Sequence, residues 1–254
     1  MTEPLPQSHH GALYRAWRIQ HVLRKTLHST AKLRRLPANP DPADIFEISQ
    51  DWGKNLCNRV GLRQEITGTP YLDEPCLYVA NHVSYLDIVF LMSLLPITFI
   101  AKKEVAEWPI FGAGATAAGT VFINRSSSRS RSLVAQTIGD AITQQKKSIA
   151  IFPEGTSSMD MKPWKRGVFS VAKEFGFKVQ PIRIFYQPLR TAAFIDEDSL
   201  MPHLWNLLGT DTLEGSLEFF PPVVIKDTNK DTAEIEAQVR ASFNKKLAET
   251  THDL

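Results

Sequence analysis

Residues 77–90 are LYVANHVSYLDIVF, two apolar runs separated by a short polar turn. The first run, Leu77 to Ala80, predicts a buried strand, and the second, Leu86 to Leu95, predicts the start of a helix. His82 therefore lies in the turn directly after the strand, and Asp87 follows it by five positions. An imidazole with a carboxylate in reach of its second ring nitrogen can act as a general base.

The same turn also permits a purely structural interpretation. Ser84 and Asp87 have the spacing of a capping box at a helix start. In that interpretation Asp87 fixes the first turn of the helix and His82 is an ordinary loop residue. The turn alone leaves both interpretations open.

Composition sets limits on the class of protein. A chain of 254 residues with 43% hydrophobic residues can bury a sizeable core, and its net charge of +2 gives no reason to expect nucleic acid as a partner. Cys57 and Cys76 have neither zinc-like nor redox-like spacing, so we expect no metal site and a reducing compartment. No run approaches the roughly 18 apolar residues of a spanning helix, so any membrane association is expected to be peripheral.

The N-terminal part, residues 1–62, is predicted to form a segment of two amphipathic helices for membrane association. Between Gly11 and Leu36, apolar residues such as Trp17 recur at helical spacing among arginines and lysines with almost no acid. Such a basic amphipathic helix is typical of a membrane surface element, although it could equally pack on its own domain. A proline-rich break, Pro37 to Pro42, precedes a second helix predicted from Ile45 to Leu62.

Residues 63–254 are predicted to form an α/β domain. Apolar strands alternate with helical patterns along this part, which favours a largely parallel sheet flanked by helices. Strands are predicted at 77–80, 99–101, 120–124, 148–152, 179–185 and 216–224, and helices at 86–95, 132–145, 166–175 and 232–249.

Three polar segments each follow one of these strands directly. They are the turn with His82, Arg125, and the turn Glu154-Gly155-Thr156. In open parallel sheets ligands lie beyond the carboxyl ends of the strands, so these segments are expected to share one cleft. Arg125 offers a planar donor fork that suits a phosphate. Gly155 allows backbone N–H groups to approach an anion, and the Thr156 hydroxyl adds a donor.

Other charged residues near this cleft can also take part in the site. Glu154 is acidic, so holding Arg125 or a substrate hydroxyl suits it better than binding a phosphate. Lys165 and Arg166 would widen the positive rim. Each residue also has an ordinary structural explanation, since Arg125 could be a surface arginine, Glu154 part of a plain turn, and Lys165 and Arg166 a solvated face.

The chain resembles the glycerolipid (lysophospholipid) acyltransferases in four motifs that stand in the family's order. The resemblance extends from about Leu77 to Val224. The matching stretches are Asn81-His82-x-Ser84-x-x-Asp87, Gly119 to Arg125, Phe152-Pro153-Glu154-Gly155-Thr156-x-Ser158, and Val179-Gln180-Pro181-Ile182.

This resemblance implies acyl transfer from an acyl thioester, acyl-CoA or acyl carrier protein, to the hydroxyl of a lysophospholipid. The first acceptor to expect is 1-acyl-glycerol-3-phosphate, which would give phosphatidic acid, and a lyso-aminolipid or another lysophospholipid is the alternative. His82 would be the base and Asp87 its partner, while Arg125 and the Glu154-Gly155-Thr156 turn would hold the acceptor's head. Asn81, Ser84 and Pro153 would support the site, and no bound cofactor is required.

Two other functions compete with this one. A thioester hydrolase would use water as acceptor, but the chain has no Gly-x-Ser-x-Gly elbow and no obvious nucleophilic cysteine. A lipid-binding module without catalysis would not need both His82 and Asp87. The expected location is the cytoplasmic side of the cell membrane, where the protein would be peripheral.

Overall fold

The computed structural model describes residues 10–108, 110–123, 128–195 and 198–251. In these residues eight strands form one sheet. They are β1 (Leu62–Thr67), β2 (Leu77–Ala80), β3 (Ile97–Lys102), β4 (Val121–Ile123), β5 (Ser148–Ile151), β6 (Lys178–Gln187), β7 (Leu213–Phe219) and β8 (Val223–Val224).

The sheet is largely parallel. Its order is β1-β7-β6-β2-β5-β3-β4, with β8 also paired to β6. Strands β6, β2, β5, β3 and β4 run in one direction, whereas β7 and β8 are antiparallel to β6, and β1 is parallel to β7. All four residues of β2 are buried, as is typical of a strand covered on both faces. The predicted α/β fold is therefore confirmed.

Helices cover the sheet. They are α1 (Ala12–Arg34), α2 (Pro42–Arg59), α3 (Leu86–Met92), α4 (Phe111–Ala117), α5 (Ser128–Thr143), α6 (Gly167–Phe175), α7 (Leu189–Ala192), α8 (Leu200–Leu207) and α9 (Thr228–Thr251), with a 3₁₀ turn at Lys103–Glu107. The helices predicted at 11–36, 86–95, 132–145, 166–175 and 232–249 correspond to α1, α3, α5, α6 and α9. The sequence did not predict α4, α7 or α8.

Several predicted elements have other bounds in the structure, and two of these differences have an identifiable cause. The second helix, α2, begins at Pro42 and ends at Arg59, because Asp41 caps it by accepting a hydrogen bond from the Ala43 N–H at 2.8 Å. Leu62, predicted to be its last residue, instead starts β1. The strand predicted at 216–224 is divided into β7 and β8, since the two prolines of 220–222 cannot donate to a ladder.

The two N-terminal helices pack on the α/β part. Arg18 of α1 is buried and donates to the carbonyls of Leu208 and Thr210 at 3.1 and 2.7 Å. Gly53 of α2 lies so close to α3 that an added Cβ would be 2.7 Å from the Ser93 nitrogen. The division of the chain at residues 62 and 63 stays a prediction.

The opposite face of α1 is exposed. Leu13 and Leu27 are 89% and 53% accessible, and Trp17 is 44% accessible. Among the described helices, none is both long and apolar enough to cross a membrane. One helix thus has a face that packs on the domain and a face that presents apolar side chains outward.

Candidate active site

His82 and Asp87 are in direct contact at the carboxyl end of β2. The His82 Nδ1 lies 2.8 Å from the Asp87 Oδ2, and the Asp87 side chain is fully buried while 19% of the His82 side chain is exposed. A carboxylate accepts hydrogen bonds only, so the imidazole proton resides on Nδ1. The Nε2 is left with its lone pair, as a general base requires.

The same Asp87 oxygen also organises the start of α3. Oδ2 accepts hydrogen bonds from the Val83 N–H at 2.7 Å and from the Ser84 N–H at 3.0 Å. In return, the Ser84 Oγ accepts from the Leu86 N–H at 3.3 Å. The capping interaction and the histidine contact therefore coexist on one carboxylate.

Asn81 and Glu154 connect the His82 loop to two neighbouring strands. The Asn81 amide donates to the Ile184 carbonyl at 2.8 Å and accepts from the Ile184 N–H at 2.7 Å, which ties the loop to β6. The Glu154 Oε1 accepts from the His82 N–H at 3.1 Å, and its Oε2 accepts from the Lys162 N–H at 2.9 Å. Glu154 thus lies beneath the loop and connects it to the segment after β5.

Further contacts fix the imidazole ring and its backbone. The His82 ring stacks on Phe152 with a centroid distance of 4.0 Å and an interplanar angle of 9°. The His82 carbonyl accepts from the Ser158 N–H at 2.9 Å, and the Val83 carbonyl accepts from the Phe194 N–H at 3.0 Å. The ring is consequently supported on one face, and its outer nitrogen has no hydrogen-bond partner among the described residues.

The Glu154 carboxyl has an unusual protonation equilibrium. Burial raises its pKa to about 7, and the hydrogen bonds from Lys162 and His82 reduce the effect of burial only in part. Its two oxygens are occupied by backbone N–H groups. Its position therefore supports His82, whereas the sequence predicted that it would hold Arg125 or a substrate hydroxyl, a role that stays a prediction.

The glycine turn after β5 has a defined conformation. Gly155 has a φ of 80°, in the left-handed region that favours glycine, and its N–H donates to the Phe152 carbonyl at 3.1 Å. Pro153 is buried, and its carbonyl accepts from the Lys165 N–H at 3.1 Å. Thr156 is half-buried in the same turn. The Gly155 N–H is thus used inside the turn.

Two residues of the predicted positive rim, Lys165 and Arg166, lie in the part of the chain that the structure describes. Lys165 and Arg166 are exposed, and the Arg166 guanidinium donates to the Asn229 Oδ1 at 2.7 Å, toward the first turn of α9. The structure therefore brings His82, Asp87 and Glu154 together but directs Arg166 toward α9. Arg125 lies outside the described residues.

An apolar cavity extends beside the histidine. Tyr85 and Phe99 are part of its wall, and the Phe99 ring lies 6.2 Å from Phe152, on which His82 stacks. Five helices contribute the rest of the wall together with β3 and the residues around Trp108. Representative lining residues are Leu33, Trp52, Ile88, Phe111, Ala115 and Leu204.

The cavity was not predicted from the sequence, although the pattern of one helix that lines it was present. Leu200, Leu204 and Leu207 recur at helical spacing, which would have predicted α8. The aromatic Phe152 stands within one of the quoted motifs but was given no role.

A second buried histidine is not another base. The His203 Nε2 lies 2.9 Å from the Ala193 carbonyl, so it carries the proton, and Nδ1 accepts from the Tyr85 hydroxyl at 2.9 Å. Burial lowers the pKa of His203, which keeps it neutral. It anchors Tyr85 at the wall of the cavity.

Comparisons with known proteins agree with this geometry. A family model described as Acyltransferase matches residues 61–185. The lyso-ornithine lipid O-acyltransferase of Pseudomonas aeruginosa is 34% identical over 216 residues, covering 81% of this chain and 80% of that protein. The 1-acyl-sn-glycerol-3-phosphate acyltransferase of Neisseria gonorrhoeae is 33% identical over 175 residues, covering 66% of this chain and 68% of that protein.

A solved structure shares the fold. The 1-acyl-sn-glycerophosphate (LPA) acyltransferase PlsC of Thermotoga maritima superposes with a TM-score of 0.70 at 19% identity, over 93% of this chain and 94% of that one. The chain belongs to the acyltransferase family. More particularly, it is an enzyme of the type that acylates lysolipids.

The pKa of Glu154 leads to a prediction about stability and pH. An ordinary glutamate has a pKa of 4.5, and Glu154 has one of about 7 when folded. Between these values the folded state binds more protons, so the contribution of this carboxyl to stability is complete below pH 4.5 and is lost as pH rises through 7. Relative to Glu154→Gln, the wild-type free energy of unfolding should fall by up to ~3 kcal/mol across this range.

Urea unfolding of both proteins at several pH values measures this difference. Loss of one acceptor for a backbone N–H adds a constant offset in Glu154→Gln, so the pH dependence is the informative quantity. Glu174→Gln, at an exposed site on α6, provides the baseline. A wild-type minus Glu154→Gln difference that stays flat from pH 4.5 to 7 would contradict the assignment.

Proposed function

We propose that the chain transfers a fatty acyl group from acyl-CoA or acyl carrier protein to the free hydroxyl of a lysolipid, with His82 as the general base. The observation that carries the proposal is the 2.8 Å contact between the His82 Nδ1 and the Asp87 Oδ2, which puts the ring proton on Nδ1 and the lone pair on Nε2. Membership of the acyltransferase family supports it.

The mechanism follows from that contact. Nε2 removes the proton of the acceptor hydroxyl while the hydroxyl oxygen attacks the thioester carbonyl. Asp87 stabilises the imidazolium that forms. When the tetrahedral intermediate collapses, the carbon–sulfur bond breaks and the imidazolium returns its proton to the thiolate. The products are the acylated lipid and a free thiol, and the scheme uses no bound cofactor or metal.

Two acceptors are proposed, in order. Lyso-ornithine lipid comes first, because the match with the Pseudomonas aeruginosa protein of that name covers most of both chains. The second is 1-acyl-glycerol-3-phosphate, the acceptor in the name of the Neisseria gonorrhoeae relative. In this case Arg125, with its donor fork, would hold the phosphate. Both acceptors use the same chemistry at His82.

The apolar cavity is proposed to hold an acyl chain of one of the substrates. Its wall includes Tyr85 and Leu86, three and four residues after His82, so it begins close to the base. Small residues of α4, among them Gly114 and Ala115, form part of its wall. A thioester carbonyl at Nε2 could then extend its hydrocarbon chain into the cavity.

The exposed face of α1 is proposed to contact the lipid surface. Leu13, Trp17 and Leu27 project from a helix that carries basic residues and has no acidic side chain. Apolar burial and attraction to anionic lipid add at such a surface. The protein would be peripheral, at the cytoplasmic side of the cell membrane.

Substitution of His82 tests the reaction itself. His82→Ala should lower kcat by about 10²–10⁴, the usual contribution of a general base. The assay measures thiol released from palmitoyl-CoA, or from palmitoyl acyl carrier protein, with lyso-ornithine lipid or 1-acyl-glycerol-3-phosphate as acceptor. His28→Ala, at an exposed site on α1, is the matched control.

Each alternative function predicts a different result. Thiol release without any lysolipid would indicate a hydrolase, and vesicle binding without turnover would indicate a lipid-binding module. Full activity of His82→Ala would overturn the mechanism. A preference between the two lysolipids decides the order of the acceptors.

A bulky residue in the cavity should change the preferred chain length. Ala115→Phe occupies space on the cavity wall. We expect the ratio of kcat/KM for palmitoyl over octanoyl donors to fall by at least about tenfold, since displacing even one methylene from an apolar pocket has such an effect. Ala113→Phe, on the same helix but off the wall, should leave the ratio unchanged. An unchanged ratio in Ala115→Phe would indicate that the acyl chain binds at another surface.

Membrane binding should depend on the exposed leucines of α1. The double substitution Leu13→Ser and Leu27→Ser should weaken binding to anionic phospholipid vesicles by at least about tenfold, because burying one leucine contributes roughly 1.5–3 kcal/mol. Binding of the wild type should also weaken as salt rises. Leu72→Ser, at a site that is 59% accessible and remote from α1 in sequence, is the control in vesicle sedimentation. Equal binding of all three proteins would place the lipid contact elsewhere.

A further inference from the structure

Two buried oxygens near the His82–Asp87 pair lack a hydrogen-bond partner among the described residues. They are the Asp87 Oδ1 and the Tyr186 Oη. Asp87 and Tyr186 are both fully buried. Because an unpaired buried oxygen costs free energy, two of them at one place call for an explanation.

Tyr186 is placed to reach the free oxygen of Asp87. Its ring packs against Phe90 with a centroid distance of 6.3 Å, and Phe90 lies one helical turn after Asp87 on α3. Tyr186 belongs to β6, the strand to which the Asn81 side chain fastens the catalytic loop through Ile184. The strand that positions the loop thus also carries the tyrosine.

The chemistry of the two groups is complementary. Burial, and then the nearby Asp87 carboxylate, raise the pKa of Tyr186, so the phenol keeps its proton and can donate it. The Asp87 Oδ2 already accepts three N–H groups, which leaves Oδ1 as the oxygen that can accept another. Asp87 is the side chain that acts on Tyr186 most strongly after burial, and neither oxygen has another hydrogen-bond partner among the described residues.

We propose that Tyr186 is a positioning residue whose hydroxyl donates to the Asp87 Oδ1 and fixes the carboxylate plane so that Oδ2 faces His82. The proposal rests on the function proposed above and adds Tyr186 to the His82–Asp87 pair as a third residue. With both oxygens occupied, the carboxylate cannot rotate away from the imidazole. The hydroxyl dipole also moderates the negative charge that the imidazole experiences.

Titratable groups on several elements surround this assembly. Glu154 faces His82 from the segment after β5, and Cys57 of α2 lies near Tyr186. Burial raises the pKa of Cys57 to about 11, so the thiol stays neutral in the range of interest. Glu154 titrates in this range, but it does so in the wild type and in a Tyr186 variant alike. A difference between the two profiles therefore reports on Tyr186.

The test is Tyr186→Phe, which removes only the hydroxyl. We expect kcat to fall about tenfold, as for loss of a hydrogen bond to a charged group, while KM for the lysolipid stays within about twofold. Without the donor, the His82–Asp87 pair holds its shared proton more tightly. The acidic limb of the kcat/KM profile should therefore move to higher pH.

Tyr78→Phe is the matched control. Tyr78 is also buried, and its hydroxyl donates to the Tyr71 carbonyl at 2.6 Å, away from His82. It should lose stability without moving the pH profile. If Tyr186→Phe also leaves kcat and the profile unchanged, the proposal is wrong.

Two further measurements test the proposal even if no enzymatic activity is detected. Tyr186→Phe should lower the thermal midpoint if its hydroxyl is bonded to Asp87, and a raised midpoint would show an unpaired hydroxyl and overturn the proposal. The NMR titration of ¹⁵N-labelled His82 should shift between the wild type and Tyr186→Phe, and coincident titrations would also overturn it. Absence of thiol release from the wild type would instead contradict the proposed function.

Discussion

A single carboxylate oxygen organises this site. The Asp87 Oδ2 accepts from the His82 imidazole and from the backbone N–H groups of Val83 and Ser84, all at 2.7 to 3.0 Å. Hydrogen bonds to a charged group contribute roughly 1.5–3 kcal/mol each. One buried atom therefore closes the loop, starts α3 and orients the ring. The helix cap of the structural interpretation and the histidine contact of the catalytic interpretation both involve this one oxygen.

The loop gains its rigidity from other parts of the chain. A turn after a strand has few internal contacts, so its geometry must be imposed from outside. Asn81 is bonded to Ile184 in β6, the His82 N–H is bonded to Glu154 after β5, and the Val83 carbonyl is bonded to Phe194. Segments between 72 and 111 residues away in sequence thus set the position of one imidazole. Glu154, an acidic residue in a cleft expected to attract phosphate, is explained by this bracing contact.

The sequence predicted those features that depend on local patterns. β2 was predicted with its observed ends, and the start of α3 was predicted at Leu86, because an apolar run, a polar turn and a cap stand next to each other. β1 was missed because it is a polar edge strand, LRQEIT, and its partner β7 lies about 150 residues further on. The proposed role of Tyr186 and the stacking of Phe152 on His82 depend on side chains that meet only in the folded chain.

The cavity also could not be predicted, because it is formed by side chains that meet only in the folded chain. Its wall combines residues from five helices and one strand, each unremarkable alone, and only packing brings them together. The predicted N-terminal helix illustrates this point. Its apolar residues indicated either a lipid surface or a domain face, and the structure shows that α1 packs against the domain with Val22 and Leu33 while exposing Leu13. The sequence could not divide these residues between the two faces.

The short helix α3 connects His82 to the cavity. One of its faces carries Asp87, with Phe90 and Leu91, fully buried against the sheet. The other lines the cavity with Ile88 and Met92. The carboxylate that contacts His82 and part of the cavity wall thus belong to one helix of seven residues, so a shift of α3 would move both. The hydrogen bonds that start the helix therefore also fix where this part of the cavity wall lies relative to His82.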